Sequence, residues 1–542
     1  MAHFLCPLPT IPGAEAAPGI PNIPLVPEQA GVAPEAEAGQ YKPPASILIV
    51  GSGVFGLSTA LSLTRRPEIP SNTPITIIDR SPEAGVFPAR DAASIDSSRI
   101  IRADYADTAY SRLAAEAQAH WRRDLDDPAA LGGGGRYNES GLILAADAGD
   151  GATVRPDGRP TGLGYTKRSW VNALALAHAE GRPMSSVRLL PGAMPIRIIT
   201  GTSGEWGTWG YVNMAAGWAD AEKSMRWLYN RVVETGRVNF VNGTVEALET
   251  ASESARGDDH RVTGVRLSDG RSLAADLVIV AAGAWTSSLV DLTGQVVATG
   301  QSVAYIRLTE DEQAKLTSMP VCLNLTNGCF VIPPRNRILK VGRHSYGYLN
   351  PQTLSHEPLK ASNSADKDRT KSSSAKSVSV PWTHLTDPSL SLPAEAVDDL
   401  RNALRRMIPF PGLADRPFCQ TRICWYADTA TGDWIIDYHP SYKNLFIATG
   451  GSGHAFKFLP ILGEKVVDCV VGKCPKEFRE KWKWKGGVEI NTKATGSAEG
   501  LQGQGDLNDD LAVELSIATE DGSRGGKPGL VLQDELAKSV RS

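Results

Sequence analysis

The stretch from Ser46 to Asp79 constrains the fold more than any other part of the chain. Ser46-Ile-Leu-Ile-Val50 is a short apolar run rich in β-branched residues, and Pro74-Ile-Thr-Ile-Ile-Asp79 is a second. Between them, Gly51 opens a segment to about Arg65 whose apolar residues Val54, Leu57, Ala60, Leu61 and Leu63 fall at helical spacing. Strand, glycine turn, helix and strand form a βαβ unit, which implies a parallel sheet. The turn itself, Gly51-Ser52-Gly53-Val54-Phe55-Gly56, reads G-x-G-x-x-G. Its first glycine allows the tight turn, the second lets a pyrophosphate approach the backbone, and the third lets helix and strand pack closely. Phosphates would sit at the helix N-terminus, where free N–H groups and the dipole attract anions. Asp79, 23 residues beyond Gly56, would accept a hydrogen bond from a ribose hydroxyl. The unit predicts dinucleotide binding, and its spacing alone does not separate NAD from FAD.

Two further apolar runs end in glycine: Leu277–Ala281 before Gly283, and Leu445–Thr449 before Gly450-Gly451-Ser452-Gly453. Three such junctions, two of them far from the first, predict one nucleotide-binding domain assembled from separated stretches of chain. Its parts are expected at about 44–110, 230–290 and 420–470, with substrate or cap parts at about 111–229 and 291–419. The first 44 residues hold ten prolines without any period, so residues 1–43 read as a disordered arm. Residues 349–380, rich in Ser and Lys, read as a soft insertion, and 486–542 as a disordered acidic tail.

Hydrophobic residues make up 42% and charged residues 21%, which fits a globular body. A net charge of −4 argues against a nucleic-acid partner. Nine acids against five bases between Ile490 and Ser542 account for that excess, so the body is close to neutral. Seven scattered cysteines without a C-x-x-C pair point to a reducing compartment. The N-terminus lacks a basic segment followed by an apolar stretch, and no run of about 18 apolar residues exists, so neither a signal peptide nor a membrane span is expected. Val540-Arg541-Ser542 is not a persuasive peroxisomal address, which leaves the cytoplasm as the expected location. The histidines show no metal spacing, so no metal is expected.

Later motifs separate the two dinucleotides. Asp96-Ser-Ser98-Arg99-Ile-Ile-Arg102, Arg422-Ile-Cys424-Trp425-Tyr426 and the block Gly450-Gly-Ser-Gly-His454-Ala-Phe-Lys457-Phe stand in order along the chain. Together they resemble the flavin amine oxidases of the monomeric sarcosine oxidase type, within the D-amino-acid oxidase superfamily. Fungal fructosyl amino acid oxidases and saccharopine or pipecolate oxidases look most similar, over roughly Ser46 to Lys485. The resemblance implies an α/β fold: a discontinuous Rossmann-like FAD-binding domain plus a substrate domain built on a mixed or antiparallel sheet. It implies a monomer that oxidises a C–N bond in an amino acid or secondary amine by hydride transfer to FAD. The products are an imine and, with oxygen, hydrogen peroxide.

Carried over position by position, the resemblance implies roles for individual residues. Cys424 matches the covalent flavin position, a thioether to the isoalloxazine. Lys340, in Ile338-Leu-Lys340-Val-Gly-Arg-His344, matches the lysine over the flavin that activates oxygen by stabilising negative charge. Arg102 and Lys457 match the pair that grips a substrate carboxylate, the guanidinium bidentately and the ammonium as a point charge. Arg99 falls beside the flavin and counts, with Lys340 and His344, among the catalytic candidates. The cofactor contacts extend to Ser52, Val54, Phe55, Arg80 and Ser98, and further along to Val245, Gly283, Gly451, Gly453, His454 and Lys457. His344 also faces the substrate; fructosyl amino acid oxidases typically carry glutamate here, which puts a glycated substrate in doubt. The alternatives are a fructosyl amino acid oxidase, a tailoring oxidation in fungal secondary metabolism, a nicotinamide dehydrogenase, and a non-catalytic flavin-binding relative. The aromatic stretch Trp206–Trp227 is expected to be core, and the basic run Phe478–Lys485 a solvated closing segment.

Overall fold

The computed structural model describes residues 41–81, 83, 85–252, 260–354, 358–359, 377–485 and 521–541. The arm 1–40, residues 360–376 of the expected insertion, and 486–520 lie outside the described residues. Residues from Pro43 onward form one compact unit.

Its first half is a six-stranded sheet in the order Ile435–Tyr438, Leu445–Thr449, Leu277–Val280, Ile47–Val50, Ile75–Asp79, Val238–Asn242. Every neighbouring pair is parallel except the first. Ile47–Val50 and Leu277–Val280 are buried along their whole length, as strands covered on both faces must be. The helix Val54–Leu63 follows the first strand and is buried from Phe55 to Leu63, because the helices Ala221–Glu234 and Leu459–Val470 pack against it. Gly463 permits that approach: a Cβ there would lie 1.9 Å from the Ser58 carbonyl oxygen.

The second half is a mixed sheet of ten strands. At its centre Val297–Arg307 pairs antiparallel on one side with Ile338–Arg343, the lysine strand, and on the other with Gln420–Asp428, the cysteine strand. Register places Tyr305 opposite Lys340 and Gln301 opposite Cys424. Residues two apart share a face, so Lys340, Cys424, Val303 and Tyr305 all look to one side, while Leu339 and Val341 look into the core beneath. That alternation explains a lysine between apolar residues. The cysteine strand, expected within a flavin-binding part at 420–470, therefore pairs within the ten-stranded sheet rather than the six-stranded parallel one.

Two expected soft regions are partly ordered. Pro351–Thr353 and Ser377–Ser379, the ends of the insertion, pair antiparallel. The tail expectation is corrected more heavily. Leu530–Val531 adds to the edge of the ten-stranded sheet beside Tyr348–Leu349, and a helix, Leu532–Arg541, packs on the helix Ala394–Met407. Leu532 is fully buried in the core of that half. Acidic composition concealed an apolar anchor.

Candidate active site

Three cavities run in sequence between the two halves. The first extends from Asp79, Arg80 and Trp285 past Gly51 and Gly53 to Tyr426, Gly453 and Phe456. The turn at its centre needs its glycines: Gly51 has φ +101°, and a Cβ there would lie 2.5 Å from the Ala281 carbonyl oxygen. At Gly53 the nearest atom to a Cβ is Ser94 Oγ, 3.9 Å away, so this glycine leaves open space at the helix N-terminus. That terminus has no side-chain cap, which leaves its first N–H groups without an intrahelical partner where Gly53, Val54 and Phe55 line the cavity. Asp79 braces the turn, accepting from the Ser52 N–H at 2.9 Å and hydroxyl at 2.5 Å. Arg80 lies 4.1 Å over the Trp285 ring and is tied to Asp91 at 2.8 Å. Val54, Phe55, Arg99, Val245, Gly283 and Gly451 line the same cavity. Ser52 and Gly56 do not; Gly56 lets helix meet turn, with Gly51 O 1.9 Å from where its Cβ would be.

The second cavity is smaller and lies against the sheet face that carries Lys340 and Cys424. It gathers Ser98, Arg99, Arg102, His344, His454 and Lys457 as well. Lys340 Nζ donates to Asp96 Oδ2 at 2.8 Å and to the Ser98 carbonyl at 2.8 Å. Arg99 donates to the same carboxylate oxygen and lies 3.4 Å from Cys424 Sγ. Tyr305 donates to Asp96 Oδ1 at 2.5 Å. Burial alone would push the Asp96 carboxyl up, but Lys340, Arg99 and Arg422 outweigh it and hold it well below the usual carboxylate range. Burial lowers Lys340 to about 8, with Asp96 pulling the other way. One carboxylate thus serves three cations, and the chamber carries excess positive charge.

Across the chamber, Lys457 Nζ donates to Tyr105 Oη at 2.8 Å and to the His454 carbonyl at 2.9 Å. His454 Nε2 meets the Gly432 carbonyl at 2.8 Å, which assigns its proton there and leaves Nδ1 to accept from Tyr105 at 3.0 Å. Burial, then Arg102, holds Lys457 well below the ordinary lysine value. Arg102 Nη1 is buried and has no hydrogen-bond partner among the described residues. Two basic groups, one with an unsatisfied donor, face a space that an anion would complete. His344, whose pKa burial and then Arg524 hold well below 6.5, borders this space and the third cavity. That outer cavity adds Tyr165, Arg168, Asp433, Lys481 and, from the expected tail, Asp521 and Arg524. Among the described residues no cluster of His, Cys, Asp or Glu could hold a metal, and no helix is long and apolar enough to cross a membrane.

A family model described as FAD dependent oxidoreductase matches residues 46–469. The chain belongs to that family. This oxidoreductase is 34% identical to the amino acid oxidase imqH of Aspergillus flavus, over 82% of its own length and 98% of that protein. It is 29% identical to L-saccharopine oxidase of Schizosaccharomyces pombe, over 81% and 93% of the two chains. Among solved structures it is similar to the fructosamine oxidase Amadoriase II of Aspergillus fumigatus, with a TM-score of 0.61 and 28% identity over 81% of this chain and 89% of that one. The first cavity fits FAD by its own chemistry: an uncapped helix N-terminus, a glycine with open space above it, and a lining that continues into the second chamber through Arg99, Tyr426, Gly453 and Phe456.

Sequence reasoning gave no role to several residues of the site. Asp96 stands in the sequence as the first residue of a motif, and an acid three residues before Arg99 can pair with it. Arg422 shares the face of Cys424 two residues away and donates to backbone carbonyls of Asp91 and Ala92. Tyr305 and Arg524 offered no signal at all. Lys481, expected to be solvated, pairs with Asp107 at 2.8 Å on the wall of the outer cavity. The aromatic stretch is core where it matters: Trp206 and Tyr211 are buried away from the cavities.

Proposed function

We propose that this oxidoreductase oxidises the C–N bond of an amino acid or secondary amine, yielding an imine that hydrolyses or cyclises. FAD, when bound, supplies a hydride acceptor and a route for the electrons to oxygen, with hydrogen peroxide as the product. The observation that carries the reading is the opposition of two basic sets across one small chamber: Lys340 with Arg99 beside Cys424, and Arg102 with Lys457. Arg102 and Lys457 bind the substrate carboxylate, and its arrival restores the charge that burial disfavours on Lys457. That grip fixes the reacting C–H bond, a contribution of positioning. Neutral His344 accepts from Arg524 at Nδ1, which leaves its Nε2–H as the donor beside the amine. Lys340 presents a cation where oxygen reduction develops negative charge. Cys424 holds the flavin covalently, and its place on the same sheet face as Lys340 supports this. We infer a cytoplasmic monomer.

The test is anaerobic mixing of the purified yellow protein with a panel of N-methyl, N-alkyl and glycated amino acids. Bleaching of the flavin by free or N-alkyl amino acids is expected. A panel with no bleaching member would leave a non-catalytic flavin protein. Acid precipitation checks Cys424: flavin stays with the wild-type pellet and leaves with Cys424→Ala.

A further inference from the structure

Residues 521–541 lie beyond the family match at 46–469, yet they enter the site. Arg524 is the clearest case, its side chain only 2% exposed. It donates to Asp428 Oδ1 at 2.6 Å and to the Ser452 carbonyl at 3.0 Å. It lies 3.3 Å from His344 Nδ1, and its guanidinium carbon sits 5.3 Å over the Tyr426 ring. One side chain thereby joins the cysteine strand, the turn at Gly450–Gly453 and the end of the lysine strand. Asp521 and Ser523 continue the same wall of the outer cavity.

The docking is specific. A Cβ on Gly525 would lie 2.2 Å from the Asn327 carbonyl carbon, so only glycine fits against that loop. The Gly525 N–H donates to the His344 carbonyl at 3.1 Å. Gly522, with φ +87°, would bring a Cβ within 2.5 Å of the Thr161 carbonyl oxygen. Beyond them the strand Leu530–Val531 and buried Leu532 anchor the segment. A cavity of about 290 Å³ remains beneath it, at the small end of the ~300–1,000 Å³ typical of ligand pockets.

We propose that Asp521–Gly526 is a wall of the substrate cavity, with Arg524 a positioning residue that holds His344 and the Gly450–Gly453 turn, so that the site admits a small free amino acid and excludes a bulky one. The proposal rests on the amine oxidase reading. Its test uses the flavin absorbance of the holoenzyme as the readout, titrated with acetate, benzoate and 1-naphthoate as static carboxylate ligands. Wild type is expected to bind the small acids more tightly than naphthoate. A chain ended after Glu520, and Gly525→Ala, should keep their flavin, bind acetate more than tenfold more weakly, and narrow the size preference to under threefold. Arg524→Gln should behave alike with Arg524→Lys in between, and turnover of any small amino acid that bleaches the flavin should lose in KM rather than kcat. If the shortened chain does not fold, Arg524→Gln decides. Wild-type affinity and size preference in Arg524→Gln overturn the wall while leaving the oxidase reading intact if the amine panel still bleaches. No spectral response of wild type to any carboxylate, with no bleaching, overturns both.

Discussion

The two halves of the molecule build their cavities by opposite means. The first cavity is centred on backbone: a glycine turn and an uncapped helix N-terminus, braced by the Asp79 carboxylate 27 residues away. The second chamber is built from side chains brought together across long separations. Lys340 reaches Asp96 over 244 positions, Tyr305 reaches it over 209, and Arg99 reaches Cys424 over 325. Backbone recognition depends on a short continuous pattern and leaves little freedom. Side-chain recognition depends on strand register, so its members can change one at a time and alter the substrate while the cofactor site stays constant.

The comparison can be broken at its strictest point first. Gly51→Ala should abolish flavin binding, because the new Cβ meets the Ala281 carbonyl at 2.5 Å and φ is +101°; a yellow purified variant would refute the backbone account. Lys340→Met should keep its flavin and its anaerobic bleaching while reoxidation by oxygen falls about 100-fold, in stopped-flow measurements. Arg102→Lys should raise KM about tenfold by losing one of two hydrogen bonds to the carboxylate. The pH dependence is gentler. Lys340 loses its proton as pH rises through about 8, so the reoxidation rate should decline above that pH in wild type and stay flat in Lys340→Met. Asp96→Asn removes the group that raises the lysine value, so the decline should move to lower pH. The smallest effect belongs to Lys538→Ala: its ion pair with Glu535 is exposed, and the melting temperature should not change.

Legibility followed the same division. Gly51, Gly53, Gly56 and Asp79 could be read because their geometry is local. Lys340 could be read because a lysine between Leu339 and Val341 is anomalous unless its face lines a chamber. The expectation that the cysteine strand joins the flavin domain failed because chain order says little about which sheet a strand completes. Asp96 stood beside Arg99 in plain view, but its partners Lys340 and Tyr305 meet it only after the sheet closes. Gly, Ser and acids dominate the region around Arg524, a composition that predicts disorder. The anchors, Leu532 and a glycine pressed against Asn327, are single residues that leave no period.

The strand Val297–Arg307 has a consequence for how this enzyme tolerates change. It is the common neighbour of both the lysine strand and the cysteine strand. A one-residue deletion within it reverses which side chains face the chamber. Lys340 and Cys424 are then uncoupled from their partners in a single event. Insertions and deletions in a lineage of such enzymes should therefore be absent from this strand and collect between the short paired strands Pro351–Thr353 and Ser377–Ser379, whose ladder leaves the chamber-facing register untouched.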